Sequence, residues 1–233
     1  MPLLYSFLKK LFIALVLCLG LIAIRAQAKT DHDGDIQYWQ TLGLKFHDGE
    51  HWRIQGTAQS RLFDHANYMG TYLFMPTVEY KLTKNWDLGG SYLYEGCRSD
   101  SGADYLMLHI FWLHVSPHWN LTDNLKFSMR HVAAYRAVES RDNYWVSRHK
   151  FDLSYKLKDL GPLVGVGANT EVFYNYETHN ICENRFVPLS LTFKLNEDIK
   201  LSLYGMIQSK DFSGGDDDWE HAYVFGQSLA LSF

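Results

Sequence analysis

Beyond residue 28 the chain has no apolar run approaching the roughly 20 residues that a membrane helix needs, which excludes a helical membrane bundle. Cysteine is nearly missing. Three in 233 residues are too few for a disulfide-dense scaffold, and they lack the paired spacing of a zinc site. Proline is as sparse, at five, so little interrupts the backbone pairing of long strands. There is no phosphate-cradling glycine loop and no dinucleotide fingerprint. Basic residues do not dominate either: 22 Lys and Arg face 26 Asp and Glu, which argues against a general nucleic-acid binder.

The N-terminus reads as a leader. Lys9 and Lys10 precede an apolar stretch from Leu11 to Ile24, and Ala26-Gln27-Ala28 supplies an Ala-x-Ala end. Those parts make residues 1–28 a cleavable signal peptide and residues 29–233 the exported body. Removing Lys9, Lys10 and Arg25 leaves a body of net charge about −7 with histidines neutral.

What the body has in plenty is aromatic residues, 15% of the chain, set in segments of strict alternation. A period of two is the signature of a strand with unlike faces. Strands are expected at 36–46, 52–63, 71–82, 86–96, 104–121, 125–138, 144–157, 162–175, 186–195, 199–209 and 220–233. Tight turns such as Thr83 to Asn85 and Thr122 to Asn124 alternate with longer, charged loops such as Cys97 to Ala103 and Tyr176 to Arg185. The unit of two strands, a tight turn and a long loop recurs roughly every 36 to 39 residues.

Charge falls on one face only. Trp52, Ile54, Tyr72, Phe74, Leu88, Phe111, Leu113 and Leu153 belong to a face free of Lys, Arg, Asp and Glu, while the other face holds nearly every strand charge. Trp52, Tyr80, Trp86, Trp119, Tyr155 and Phe193 lie beside the tight turns, as an interfacial aromatic girdle requires. The expected fold is all-β: a single antiparallel up-and-down transmembrane β-barrel of 10 to 12 strands. Bacterial single-chain barrels have even strand numbers, and eleven segments are legible, so either 36–46 stands outside the wall or one strand is hidden.

The last segment, Ala222 to Phe233, places Tyr223, Phe225, Leu229, Leu231 and Phe233 on one side and small residues on the other. It resembles the C-terminal aromatic signature by which bacterial outer-membrane barrels are recognised for assembly. Further residues carry a family likeness: Gln37-Tyr38-Trp39, Arg61-Leu62, Tyr80-Lys81-Leu82, Thr170-Glu171-Val172-Phe173-Tyr174-Asn175 and Glu183-Asn184-Arg185-Phe186. With them the chain resembles an uncharacterised bacterial outer-membrane barrel family, the domain of unknown function 2490. The resemblance implies a barrel and a location, and it supplies no activity or catalytic residues.

The charged face is the candidate lumen. Its lining candidates are Arg53, Arg61, Lys126, Arg130, Arg136, Arg148, Lys150, Asp152 and Glu171, a net basic set in an acidic body. A lumen of one sign concentrates anionic solutes, while a narrow lumen simply fills with paired side chains. Arg148, Lys150 and Asp152 beside Glu171 suit such pairing. Ser147 and His149 share the outward face with His131, a conceivable nucleophile and base, although their order is reversed from that of known outer-membrane lipid hydrolases. The acidic loop from Asp211 to Asp218 lacks regular metal-ligand spacing. Cys97 and Cys182, both in expected loops, could pair in an oxidising compartment.

The expectation is thus an exported outer-membrane barrel whose specific role the sequence does not give, with a narrow pore for small anionic solutes as the leading reading. The alternatives are a structural or surface-interaction barrel and a lipid-modifying hydrolase. No catalytic residue, metal or cofactor is assigned. The expected partners are outer-membrane lipid, lipopolysaccharide and, through Phe233, the barrel assembly machinery; nucleic acid is not among them.

Overall fold

The computed structural model describes residues 33–98, 101–139, 141–211 and 219–233. The expected leader falls outside these residues, as does most of the acidic loop ending at Asp218. Each alternating segment forms a strand: β1 (Asp35–Asp48), β2 (Trp52–Phe63), β3 (Tyr68–Thr83), β4 (Trp86–Cys97), β5 (Leu106–Asn120) and β6 (Leu125–Val138). The series continues with β7 (Tyr144–Lys156), β8 (Leu163–Asn175), β9 (Asn180–Lys194), β10 (Ile199–Asp211) and β11 (Trp219–Ser232).

Sequence neighbours pair antiparallel around the sheet, which closes into a barrel. The closing pair, β1 with β11, is parallel: Asp35 lies opposite Ala222 and Lys45 opposite Ser232. Eleven strands therefore form the wall, which corrects the expectation of an even count. An odd number makes the first and last strands run in the same direction. A parallel ladder still pairs the N–H and C=O groups of both edges, at slightly lower stability per residue.

The tight turns share a local device. The Thr83 hydroxyl accepts from the Asn85 amide at 3.2 Å, and the Thr122 hydroxyl accepts from Asn124 and Leu125 at 3.3 and 3.0 Å. The Asn196 Oδ1 accepts from the Asp198 amide at 2.9 Å in the same way. Side-chain bonds of this kind hold a reversal without a long loop, which explains why the sequence unit recurs. The β7–β8 connection instead uses Gly161, at φ +61°, a conformation glycine adopts without steric cost. These turns and the C-terminus gather at one end of the barrel, here called the turn end. The longer connections and the start of β1 gather at the other, the loop end.

Outside, large apolar residues stand exposed, Leu113 at 69% and Phe225 at 62%. Rings pair into a belt near the turns: Trp52 with Tyr80 at 4.9 Å, Trp86 with Trp119 at 6.3 Å, and Phe46 stacked on Phe233 at 6.2 Å. A second belt lies toward the loops, with Tyr72 by Tyr105 at 5.0 Å, Tyr135 by Trp145 at 5.2 Å and Tyr174 by Tyr176 at 5.1 Å.

The core lies inside the barrel. Leu73, Leu93, Leu108, Ile110, Trp112 and Val132 pack together behind β3 to β6, and Trp39, Val187, Met206 and Val224 form a smaller cluster across from them. The outward band reverses the soluble arrangement, in which such residues would be hidden.

The parallel closure can be tested covalently. Thr41 and Ser228 are partners in the β1–β11 register and both face inward. Cysteines placed there in a chain lacking Cys97 and Cys182 should oxidise to a disulfide between the first and last strands, detected by peptide mass mapping. Failure to cross-link would overturn the closure.

Candidate functional site

The lumen is built in two charged layers. Nearest the turns, Arg53 on β2 reaches three carboxylates: Glu79 on β3 at 2.8 Å, Asp87 on β4 at 3.5 Å and Asp48 at 3.5 Å. The second oxygen of Glu79 meets His114 Nε2 on β5 at 3.0 Å. Those two residues lie on strands separated by β4, and Gly89 lets them touch. A Cβ there would sit 2.5 Å from the His114 ring and 2.8 Å from Glu79 Cγ. Register places Gly89 opposite both residues, so one missing side chain permits the buried contact.

Toward the loop end the second layer alternates guanidinium groups with aromatic rings. Arg61 lies 4.1 Å over Trp39, and Arg185 lies 5.1 Å from the same ring and 4.6 Å from Phe173. Arg148 lies 4.5 Å from Phe173 and 4.2 Å over Trp112. The six side chains come from β2, β1, β9, β8, β7 and β5 and make a ladder across the lumen. Strand register accounts for it: Arg61 stands opposite Trp39, Arg148 opposite Phe173 and Arg185 opposite Glu171.

Carboxylates tie the ladder from the side. Arg148 donates to Glu171 Oε1 at 3.1 and 2.7 Å, Arg185 pairs with Glu183 at 2.6 Å, and Arg61 reaches Glu95 at 3.8 Å. Phe173 and Trp39 are only 1% and 3% exposed, so the ladder shields both rings from solvent. Stacked guanidinium contacts contribute about 0.5–2 kcal/mol each, most where water is absent. Between the layers the wall is lined with hydroxyls and amides: Gln59 donates to Thr41 at 2.8 Å, Thr77 bonds Ser91 at 2.8 Å and Thr192 bonds Ser202 at 3.1 Å.

The nine lining candidates divide by the contacts they make. Arg53, Arg61, Arg148 and Glu171 join the two layers, and Arg136 donates to the Tyr144 hydroxyl at 3.2 Å. Lys126, Arg130, Lys150 and Asp152 line the wall without a close ion pair among the described residues. Around Glu171 the close ion pairs are with Arg148 and Arg185, while Lys150 stands opposite it in the register and acts on it at longer range.

Sequence reasoning missed Arg185, Glu183 and Lys210, having placed them in loops that belong to longer strands β9 and β10. The odd spacing of Glu183, Arg185 and Val187 is the signal that would have found the first two. It is blurred by a bulge between Phe173 and Tyr174 of the paired strand. The cysteines also sit in strands, Cys97 ending β4 and Cys182 within β9, and both are free thiols. His149 Nδ1 lies 2.8 Å from His131 Nδ1, so its bonded partner is the other histidine. The proposed dyad with Ser147 is not formed in this geometry. No group of three metal-ligating side chains occurs among the described residues.

A sequence profile of the family described as Protein of unknown function (DUF2490) matches residues 36–219. No curated protein matches the chain. Among solved structures, the NanC porin is similar at 14% identity and TM-score 0.48, over 85% of this chain and 99% of its own. A bacterial polysaccharide outer membrane secretin is similar at 11% and 0.48, over 80% and 77%. The KdgM porin, solved in complex with disordered oligogalacturonate, is similar at 12% and 0.44, over 85% and 99%.

The layer near the turns makes a stability prediction. Glu79→Ala leaves Arg53 and His114 facing each other without their shared carboxylate, and should cost about 3–5 kcal/mol. Urea unfolding of the purified barrel in detergent micelles measures it; a loss under about 1 kcal/mol would show the layer to be solvated.

Proposed function

The chain belongs to the DUF2490 family of proteins of unknown function, and on that premise we propose that it is an outer-membrane barrel whose lumen receives small anionic solutes. The apolar exterior and its two aromatic belts support placement in a bilayer, with outer-membrane lipid and lipopolysaccharide against the wall. The leader-like N-terminus supports export, and Phe233, stacked on Phe46 at the turn end, suits recognition by assembly machinery.

One observation carries the anionic reading: inward cations outnumber the carboxylates that hold them. Lys126, Arg130 and Arg136 face the lumen without an ion pair among the described residues, while the carboxylates Glu79, Glu171 and Glu183 are already engaged. A field of one sign inside a low-dielectric wall raises the local concentration of counter-charged solutes. The hydroxyl and amide lining between the layers suits a solute rich in hydrogen-bonding groups. A competing reading, a sealed barrel with a structural or surface-binding role, is favoured by the burial of Trp39 and Phe173 across the ladder.

Planar bilayers distinguish the two. Under a potassium chloride gradient, the reconstituted barrel should show discrete conductance steps and an anion-selective reversal potential. Neutralising Lys126 and Arg130 together should shift that potential toward cation selectivity. Absence of any conductance step would sink the pore and leave the sealed barrel.

A further inference from the structure

Near the loop end the lumen holds a pocket of hydrogen-bond donors that lack acceptors. The indole N–H of Trp112 is buried without a partner, on a residue only 8% exposed. Arg136 Nε is buried, and among the described residues neither it nor the indole N–H has a partner. The two are neighbours on the inward face: Trp112 stands opposite Ala134, and Arg136 is the next inward residue along β6 toward the loops. The Arg148 guanidinium covers the Trp112 ring at 4.2 Å, which adds a third donor-bearing group beside them.

The surroundings do not answer these donors. Ile110 is the cross-strand neighbour of Arg136, and Ala134 and Val138 flank it, all of them buried and apolar. Arg136 spends one terminal nitrogen on the Tyr144 hydroxyl and has no ion pair among the described residues. The carboxylates Glu95 and Glu183 make their contacts with Arg61 and Arg185 and attract the Arg136 guanidinium only at longer range. A buried donor without an acceptor costs free energy. An oxyanion settling here would satisfy the indole N–H and the Arg136 Nε–H.

We infer that Trp112 and Arg136, backed by Arg148, form a binding subsite for the carboxylate or phosphate group of a solute entering from the loop end. This deepens the anionic reading of the lumen and rests on it for its biological use. The side chains face away from lipid, so the oxyanion comes from a soluble molecule and not from a lipid headgroup.

The test uses the intact barrel in zwitterionic micelles with its tryptophans labelled with nitrogen-15. Trp112→Phe keeps a ring under Arg148 and identifies the Trp112 indole resonance by its loss. Sodium acetate and inorganic phosphate, added at constant ionic strength, should move that resonance in a saturable way, and glycerol should leave it in place. Arg136→Lys keeps the charge and removes Nε–H, and should weaken binding about tenfold. Arg136→Gln should weaken it further, and the heat-modifiable gel shift of each variant checks its fold. No saturable shift, or a shift undiminished in folded Arg136→Lys and Arg136→Gln, overturns the subsite. Anion selectivity in bilayers without the indole shift removes the subsite alone. A saturable shift without conductance keeps the subsite and removes transport.

Discussion

A strand's edge carries a row of hydrogen-bonding groups that hydrocarbon cannot satisfy, and the architecture follows from that constraint. Ten antiparallel ladders satisfy every edge but two, and those two run in the same direction. Closing them in parallel sacrifices a little stability per residue and removes the last free edge. The seam in turn fixes which inward residues face one another across the lumen. With β1 beside β11, Trp39 comes into reach of Arg185 on β9, and the guanidinium ladder can form.

Charge inside the wall obeys a second demand, that a buried ion keep company. Arg53 has three carboxylates and Glu79 has both an arginine and a histidine, so the turn-side layer is fully paired. The ladder solves the same problem differently, since each guanidinium lies against aromatic faces and shares few carboxylates. Toward the loops, buried donors at Trp112 and Arg136 and buried acceptors at Asp35, Gln208 and Glu220 are left without partners among the described residues. An anion from outside would meet the donors at Trp112 and Arg136, and this links the packing of the lumen to its proposed use.

Much of the wall was legible in the sequence because alternation is a local property. Leu88, Phe111, Leu113 and Phe225 announce an outward face wherever they occur, and the threonine and asparagine turns are local too. Strand direction at the seam is not local. Nothing in Gln37-Tyr38-Trp39 says that Val224 and Phe225 will lie alongside, and the habit of even strand numbers pointed elsewhere. Arg185 and Glu183 were hidden by a bulge that shifts the period, and Gly89 shows its meaning only when Glu79 and His114 are seen on either side. Inward lysines could be placed by period, but whether each has a partner depends on three-dimensional distances.

The parallel seam also has a kinetic side. Every other ladder joins strands adjacent in the chain, so a curling sheet can grow by short loop closures, each with a modest entropic cost. Only the seam joins distant segments, as the bond from the His221 amide to Asp33, 188 residues away, illustrates. High contact order is thus concentrated in one step, and the ladder, which needs β1 and β2 beside β9, is completed after it. Until then both outer strands stay open to pairing with another chain. Assembly of this barrel is therefore expected to be limited by a single late joining event, during which its first and last strands are most vulnerable to aggregation.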